Sequence, residues 1–166
     1  NQNSGELSIF DDEDEELAHL YAVVPSGRVE TRTPVYKQVS YTGSDGLDDI
    51  GSTYIEVDMT DQMMYYYANG RQELSTPVVT GNTSLGRGTP QKVCYIYFKQ
   101  RNRVLRGEDY ATPVSYWMAV YGNIGIHDAT WRRKFGGSIY KTGGSHGCIN
   151  TPFDEVSKLY DMAEVG

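Results

Sequence analysis

A chain of 166 residues with a net charge of −7 and a pI near 4.9 is long enough for one domain with a real core plus an appendage. The acidic balance excludes the basic footprint that nucleic acid demands, and no apolar run approaches the length of a membrane span. Fourteen tyrosines and eighteen glycines against few leucines read as strands and turns rather than helices.

The chain begins on Asn1 and ends in a helical pattern, which reads as a piece of a longer protein. Residues 1–16 carry Glu6, Asp11, Asp12, Glu13, Asp14, Glu15 and Glu16 with no Lys or Arg. "DEELAHLYAVV" predicts a short helix, and His19 within it reads as a surface residue. The polar run from Arg28 to Ser52, with Pro34, Gly43, Gly46 and Gly51, predicts an extended connector. The expected organisation is therefore an acidic tail and linker over residues 1–50 and a folded domain over 51–166.

Strand signals follow. "STYIEVDM" alternates Ile55, Val57 and Met59, and "QMMYYYANGRQEL" brackets an Asn69-Gly70 turn, a strong hairpin signal. "TPVVTG" and "KVCYIYFK" read as further strands, the second with Val93, Tyr95 and Tyr97 opposite Cys94, Ile96 and Phe98. "NTSLGRGTP" between them reads as a loop, and "RNRVLRGEDYATPV" as a polar insertion able to fold over a site. Lys92, Lys99, Arg101, Arg103, Arg106, Arg132, Arg133, Lys134 and Lys141 make residues 92–141 net positive, which suits a modest anionic ligand as well as an ordinary solvated face. "SYWMAVYGNIGIHD" is strand-like and ends on His127. A closing helix is predicted with Thr151 as N-cap, Pro152 in first position, Asp154 and Glu155 in the first turn, and Val156, Leu159, Tyr160 and Ala163 on one face.

"GGSHGCIN" at 143–150 precedes that helix and gathers a thiol, an imidazole and glycines. A nearby helix N-terminus and imidazoles would lower the Cys148 pKa. Gly144 and Gly147 leave room for an electrophile and for backbone N–H groups to face an oxyanion. A nucleophilic site is one reading. A buried structural cysteine, a zinc site of His127, His146 and Cys148, and a Cys94–Cys148 disulfide are the others. Zinc lacks its usual paired Cys-x-x-Cys or His-x₃-His units here. For the base, alternation places His146 on the side of Cys148, while His127 would arrive from a neighbouring strand; spacing leaves both open.

"IHD" at 126–128 and "SHGCIN" at 145–150, with seventeen residues between His127 and Ser145, resemble the signature of L,D-transpeptidases of the YkuD type. "STYIEVDMTDQMMYYYANG", "VVTGN" and "GRGTP" are similar to that domain's opening strands and Gly-Thr-Pro loop, so the resemblance spans roughly 52–166. The preceding tail resembles the end of a Gram-positive peptidoglycan-binding module. The resemblance implies a mainly β fold, an antiparallel β-sandwich with a short helix next to the active site, and a further strand beyond Gly166.

It also implies the chemistry. Cys148 would attack a peptidoglycan tetrapeptide stem, release D-Ala, form a thioester and pass the acyl group to a second stem as a 3→3 cross-link, with no metal or cofactor. It assigns His127 as proton acceptor, oriented by a carbonyl such as that of Asp128, and His146 as a second functional histidine. Ser145, Gly147 and Asn150 would shape the pocket and oxyanion site. Residues 99–115 would be the lid, with Tyr110, Tyr116 and Trp117 along a substrate groove. The implied partners are peptidoglycan stem peptides and carbapenem-type β-lactams, acting on a monomer. The implied location is the outer face of the membrane, through an anchor outside this sequence. Cys94 would have to be buried and unpaired. An L,D-carboxypeptidase and a non-catalytic wall-binding module are the alternatives; a sortase is disfavoured because its Thr-Leu-x-Thr-Cys strand is missing around Cys148.

Overall fold

The computed structural model describes residues 50–107 and 110–166. The acidic tail, its expected helix and His19, most of the linker, and Glu108 and Asp109 lie outside the described residues.

Two sheets form the frame. The first contains β1 (Tyr54–Asp58), β2 (Met63–Ala68) and β3 (Arg71–Pro77), paired antiparallel in that order. The Asn69-Gly70 hairpin turn is observed, with both residues at positive φ. Alternation buries Met64 and Tyr66 on β2 and Leu74 and Thr76 on β3, and leaves their neighbours outside. The second sheet has order β4 (Phe98–Arg106), β5 (Ala111–Tyr121), β6 (Ile124–Asp128) and β7 (Ile149–Thr151). Its first two pairings are antiparallel, but β6 and β7 run parallel. The mainly β, two-sheet fold is thus as expected, with one parallel pair inside it.

Between the sheets, Met64, Tyr66, Leu74 and Val78 pack against Ile96, Met118, Ile126 and Ile149. Among the described residues, α1 (Ile139–Gly143) lies between β6 and β7, and α2 (Phe153–Met162) follows β7. Val156 and Leu159 of α2, and Ala163 just beyond it, close the same core. Asp154 and Glu155 sit in the first turn of α2, where they complement the backbone N–H groups. The start differs from the expectation by one residue. Thr151 is fully buried as the last residue of β7, opposite Asp128, so Pro152 takes the cap position and no side chain caps the helix.

Three strand expectations move. "TPVVTG" continues β3 only to Pro77; Val79 and Gly81 then make single bridges to Asn150 and Ser145. In "KVCYIYFK" only Phe98 onward is strand, Ile96 alone is buried, and Tyr95 and Tyr97 are exposed. The polar run read as an insertion is instead the β4–β5 hairpin. Its cations are housed by rings: Arg101 lies over Tyr116 and Tyr160, and Arg103 over Trp117.

Candidate active site

The parallel register of β6 and β7 builds the site. Ile126 pairs with Ile149 and His127 with Asn150. Side chains alternate along a strand, so Ile126 and Ile149 point into the core while Gly125, His127, Cys148 and Asn150 share the opposite face. From β5, Trp117 pairs with His127 and Ala119 with Gly125, which brings both to this face as well. Cys148 packs against the small cluster of Val114, Trp117 and Ala119. Trp117, buried, stacks on the His127 ring with centroids 5.8 Å apart. One indole therefore walls both the thiol and the imidazole. Gly125 is what admits it: a Cβ there would stand 2.6 Å from the Trp117 ring.

His127 is buried, and its Nδ1 lies 2.7 Å from the Asp128 carbonyl oxygen. A carbonyl can only accept, so Nδ1 carries the proton and Nε2 keeps the lone pair. Burial lowers the pKa of this imidazole, outweighing the help from Asp128. Cys148 is partly exposed, and its thiol donates to Asn123 O at 3.7 Å. Burial raises its pKa, with a backbone hydrogen bond from Gly125 working the other way. The expected lowering of that pKa is not observed. Strand β7 separates the sulfur from the first turn of α2, and the apolar wall outweighs any dipole. Burial thus works toward the neutral form of both the thiol and the imidazole.

The loop before Cys148 is held by its own serine. Ser145 Oγ donates to Cys148 O and accepts from Gly147 N at 3.0 Å. The Gly147 N–H is thus committed to Ser145 rather than to the open site. Gly147 has φ +118, a value side-chain-bearing residues rarely adopt, and this breaks the extended path between His146 and Cys148. Alternation fails there: His146 is exposed and lies against Tyr110, with ring centroids 4.8 Å apart. Asn150 is buried with Oδ1 lacking a protein partner. The Asp128 carboxylate faces the fold instead of a substrate: Oδ1 accepts from Ser115 N and Tyr116 N at 2.7 and 2.8 Å. Tyr116 turns to the core side, where its hydroxyl accepts from Ser157 Oγ at 2.9 Å.

Asp128 and Asn102 explain how the hairpin bends. Two consecutive amides of β5 converge on one carboxylate oxygen, and opposite them Asn102 takes φ +53. Val114 then joins Trp117 on the site face although alternation from Tyr116 would send it to the core. The hairpin end carrying Tyr110 is thereby brought to His146.

Four contributors escaped the sequence reading. Gln62, fully buried, donates to Thr80 Oγ1 and Met59 O at 2.8 and 2.7 Å and accepts from Thr80 N at 2.9 Å. Thr89 donates to Gly147 O at 2.7 Å and accepts from Gly81 N at 3.0 Å, tying the Gly-Thr-Pro loop under the turn that precedes Cys148. Trp131 exposes half its surface and lies 6.0 Å from the His127 ring, centroid to centroid. Arg132 follows it. For Gln62 no local signal exists; Trp131 was findable only as the large aromatic just past His127. Cys94 is exposed and unpaired, so its expected burial is not met, and neither cysteine forms a disulfide. Among the described residues no three His, Cys, Asp or Glu side chains gather as a metal site would require, which removes the zinc triad. Among them, too, no helix is long and apolar enough to cross a membrane.

Residues 52–166 match the family model of the L,D-transpeptidase catalytic domain, YkuD. The chain belongs to the L,D-transpeptidase family, a family of acyltransferases. A cysteine-to-serine variant of the Enterococcus faecium L,D-transpeptidase is 34% identical, with 99% of this chain and 69% of that one covered and a TM-score of 0.69. The catalytic domain of the E. faecium L,D-transpeptidase acylated by ertapenem is 42% identical over 69% of this chain and 92% of its own, with a TM-score of 0.62. An L,D-transpeptidase from Mycobacterium smegmatis shares the fold at 23% identity, covering 69% and 56%, with a TM-score of 0.60. No curated protein matches the chain.

Proposed function

We propose that this L,D-transpeptidase domain forms 3→3 peptidoglycan cross-links through a thioester on Cys148. The observation that carries this is the placement of Cys148 and His127 on one face of two adjacent parallel strands, with Nδ1 of His127 tied to Asp128 O. That tie leaves Nε2 as the base for the sulfur proton.

Because burial works against the charged form of both groups, the proton moves with bond formation. As Sγ bonds to the scissile carbonyl carbon, its proton passes to His127 Nε2, so thiolate and imidazolium arise only along the reaction path. The tetrahedral intermediate collapses by breaking the C–N bond, and His127 returns the proton to the departing D-Ala amine. A second stem's amine then attacks the thioester, His127 takes its proton, and the C–S bond breaks to restore the thiol. Burial favours this cycle because a charged imidazolium is costly at that site and gives up its proton readily. Asn150 Oδ1, without a protein partner, is left to accept an N–H of the stem. His146 and Tyr110 close the opposite side. Acting on peptidoglycan stems would put the protein to work at the outer face of the membrane.

The relatives' complexes give the reading a probe. One E. faecium structure is acylated by ertapenem, and another is a carbamoyl enzyme with avibactam. A carbapenem is expected to add to Cys148 and not to the exposed Cys94, as read by peptide mass mapping. Incubation with defined muropeptides should yield free D-alanine, a trapped thioester and a 3→3 dimer. A wall-binding protein without turnover would show none of the three, and a carboxypeptidase would release D-alanine without the dimer.

A further inference from the structure

Among the described residues, the guanidinium of Arg132, in the turn just past His127, has no ion-pair partner. Arg132 lies in the turn after β6, its backbone N–H donating to Ala129 O at 2.9 Å. The side chain is half-buried, and Nε is fully buried with no hydrogen-bond partner. The ion pairs of the described residues lie elsewhere: Arg71 with Glu73, Arg101 with Asp161 and Lys158 with Glu155, all with substantial exposure. Burial alone perturbs Arg132, pulling its pKa down with no acid acting against it. Its charge nevertheless reaches His127, where it opposes protonation of the ring. A buried Nε–H with no acceptor is destabilising, and a ligand oxygen reaching it would satisfy it. Arginine's planar fork matches a carboxylate.

The geometry of the reaction says which carboxylate. Along β6 the order is Gly125, beside Cys148, then His127, then the turn that carries Trp131 and Arg132. The scissile carbonyl must sit at the sulfur, and the leaving nitrogen must face His127, which returns the proton. The carbon bonded to that nitrogen bears the free carboxylate of the leaving D-amino acid. It therefore falls beyond His127, on the side away from Cys148. We propose that Arg132 binds this terminal carboxylate of the acyl donor, so that the domain selects stems ending in a free acid one residue past the scissile bond. Trp131, half exposed beside His127, forms the apolar flank of the same subsite. The inference rests on the proposed function and deepens it by naming the group that reads the donor's end.

The test is binding, which needs no turnover. In the Cys148→Ala background, a tetrapeptide stem ending in D-alanine and its terminal carboxamide are titrated by calorimetry. The acid is expected to bind about 10-fold or more tightly than the amide, as a charge-assisted pair warrants. Adding Arg132→Gln should bring that ratio to about one, and Arg132→Lys should restore part of it. A ratio near one with Arg132 present, a ratio unmoved by Arg132→Gln, or no measurable binding of the acid each overturns the proposal. If the Gln variant fails to fold, the ratio with Arg132 in place and its change in the Lys variant still decide. Turnover is read separately with Cys148 intact. Absence of thioester and released D-alanine refutes the catalytic reading even where the binding ratio holds. Cross-linking with an acid-to-amide ratio blind to Arg132 leaves the catalytic reading standing and removes this one.

Discussion

The two faces of the β4–β7 sheet are made by the same strands and obey different rules. On one, Met118, Ile126 and Ile149 are closed over by Val156 and Leu159 of α2. On the other, Trp117, Gly125, His127, Cys148 and Asn150 stand in one layer, with the buried Asn150 Oδ1 lacking a protein partner. Neighbouring residues thus serve stability and chemistry in alternation. The lesson is that function here costs the fold one face of one sheet, and the core on the reverse side must hold the register that chemistry needs.

Substitutions should separate the two faces cleanly. Cys148→Ala is expected to lower acyl transfer by at least about 10⁴-fold while leaving the melting temperature nearly unchanged, measured by thioester mass and thermal melting. His127→Gln should cost on the order of 10²–10⁴-fold in acylation rate. Its native imidazole also predicts two pH effects. Acylation should decline on the acid side only below the ordinary imidazole value of 6.5, because burial lowers the pKa. Stability should fall with pH over the same window, since the unfolded chain binds a proton there that the folded one refuses. It should level off once the folded ring protonates too, and the His127→Gln melting curve should lack this dependence.

The reverse face should answer in the opposite way. Leu159→Ala removes a fully buried side chain and is expected to cost about 2–5 kcal/mol in denaturant unfolding. Carbapenem acylation per folded molecule should change little. Asp128→Asn sharpens the contrast at the boundary: losing the charge that receives Ser115 N and Tyr116 N should cost about 1–3 kcal/mol. It should also loosen the hairpin, read as faster amide exchange at residues 103–106. A loss of acylation with no change in exchange would show that the carboxylate acts on chemistry directly.

Much of this arrangement was legible in the residues. The β1–β2–β3 meander showed through the alternation of Ile55 and Val57 and the Asn69-Gly70 turn, both local signals. The apolar face of α2 showed through helical spacing. The β4–β5 hairpin did not, because its strands carry Arg106 together with Arg101 and Arg103, and the last two have charged heads that hide ring-covered stems from any hydropathy reading. The neighbouring Tyr95 and Tyr97 misled in the opposite direction, since aromatic alternation looks like a strand even where both rings face outward. At the site, Cys148 stood out by residue type and its glycine neighbours, while spacing left His127 and His146 both open as the base and only the resemblance favoured His127. The depressed imidazole and raised thiol were not legible, because burial by Trp117 is set by a register between strands distant in sequence. Gln62 and Arg132 act through partners, or the lack of them, that only folding reveals.

The parallel run of β6 and β7 has one more consequence. Strands that point the same way cannot be joined by a tight turn; the chain must travel back outside the sheet, a crossover of a dozen residues or more. Residues 129–148 are that return journey, so the interval between His127 and Cys148 is a length imposed by topology, and the residues that fill it arrive beside the candidate site without needing to be aimed there. A deletion that shortens this path below its minimum would pull β7 out of line and part the Cys148 sulfur from the His127 strand while leaving both residues in the sequence.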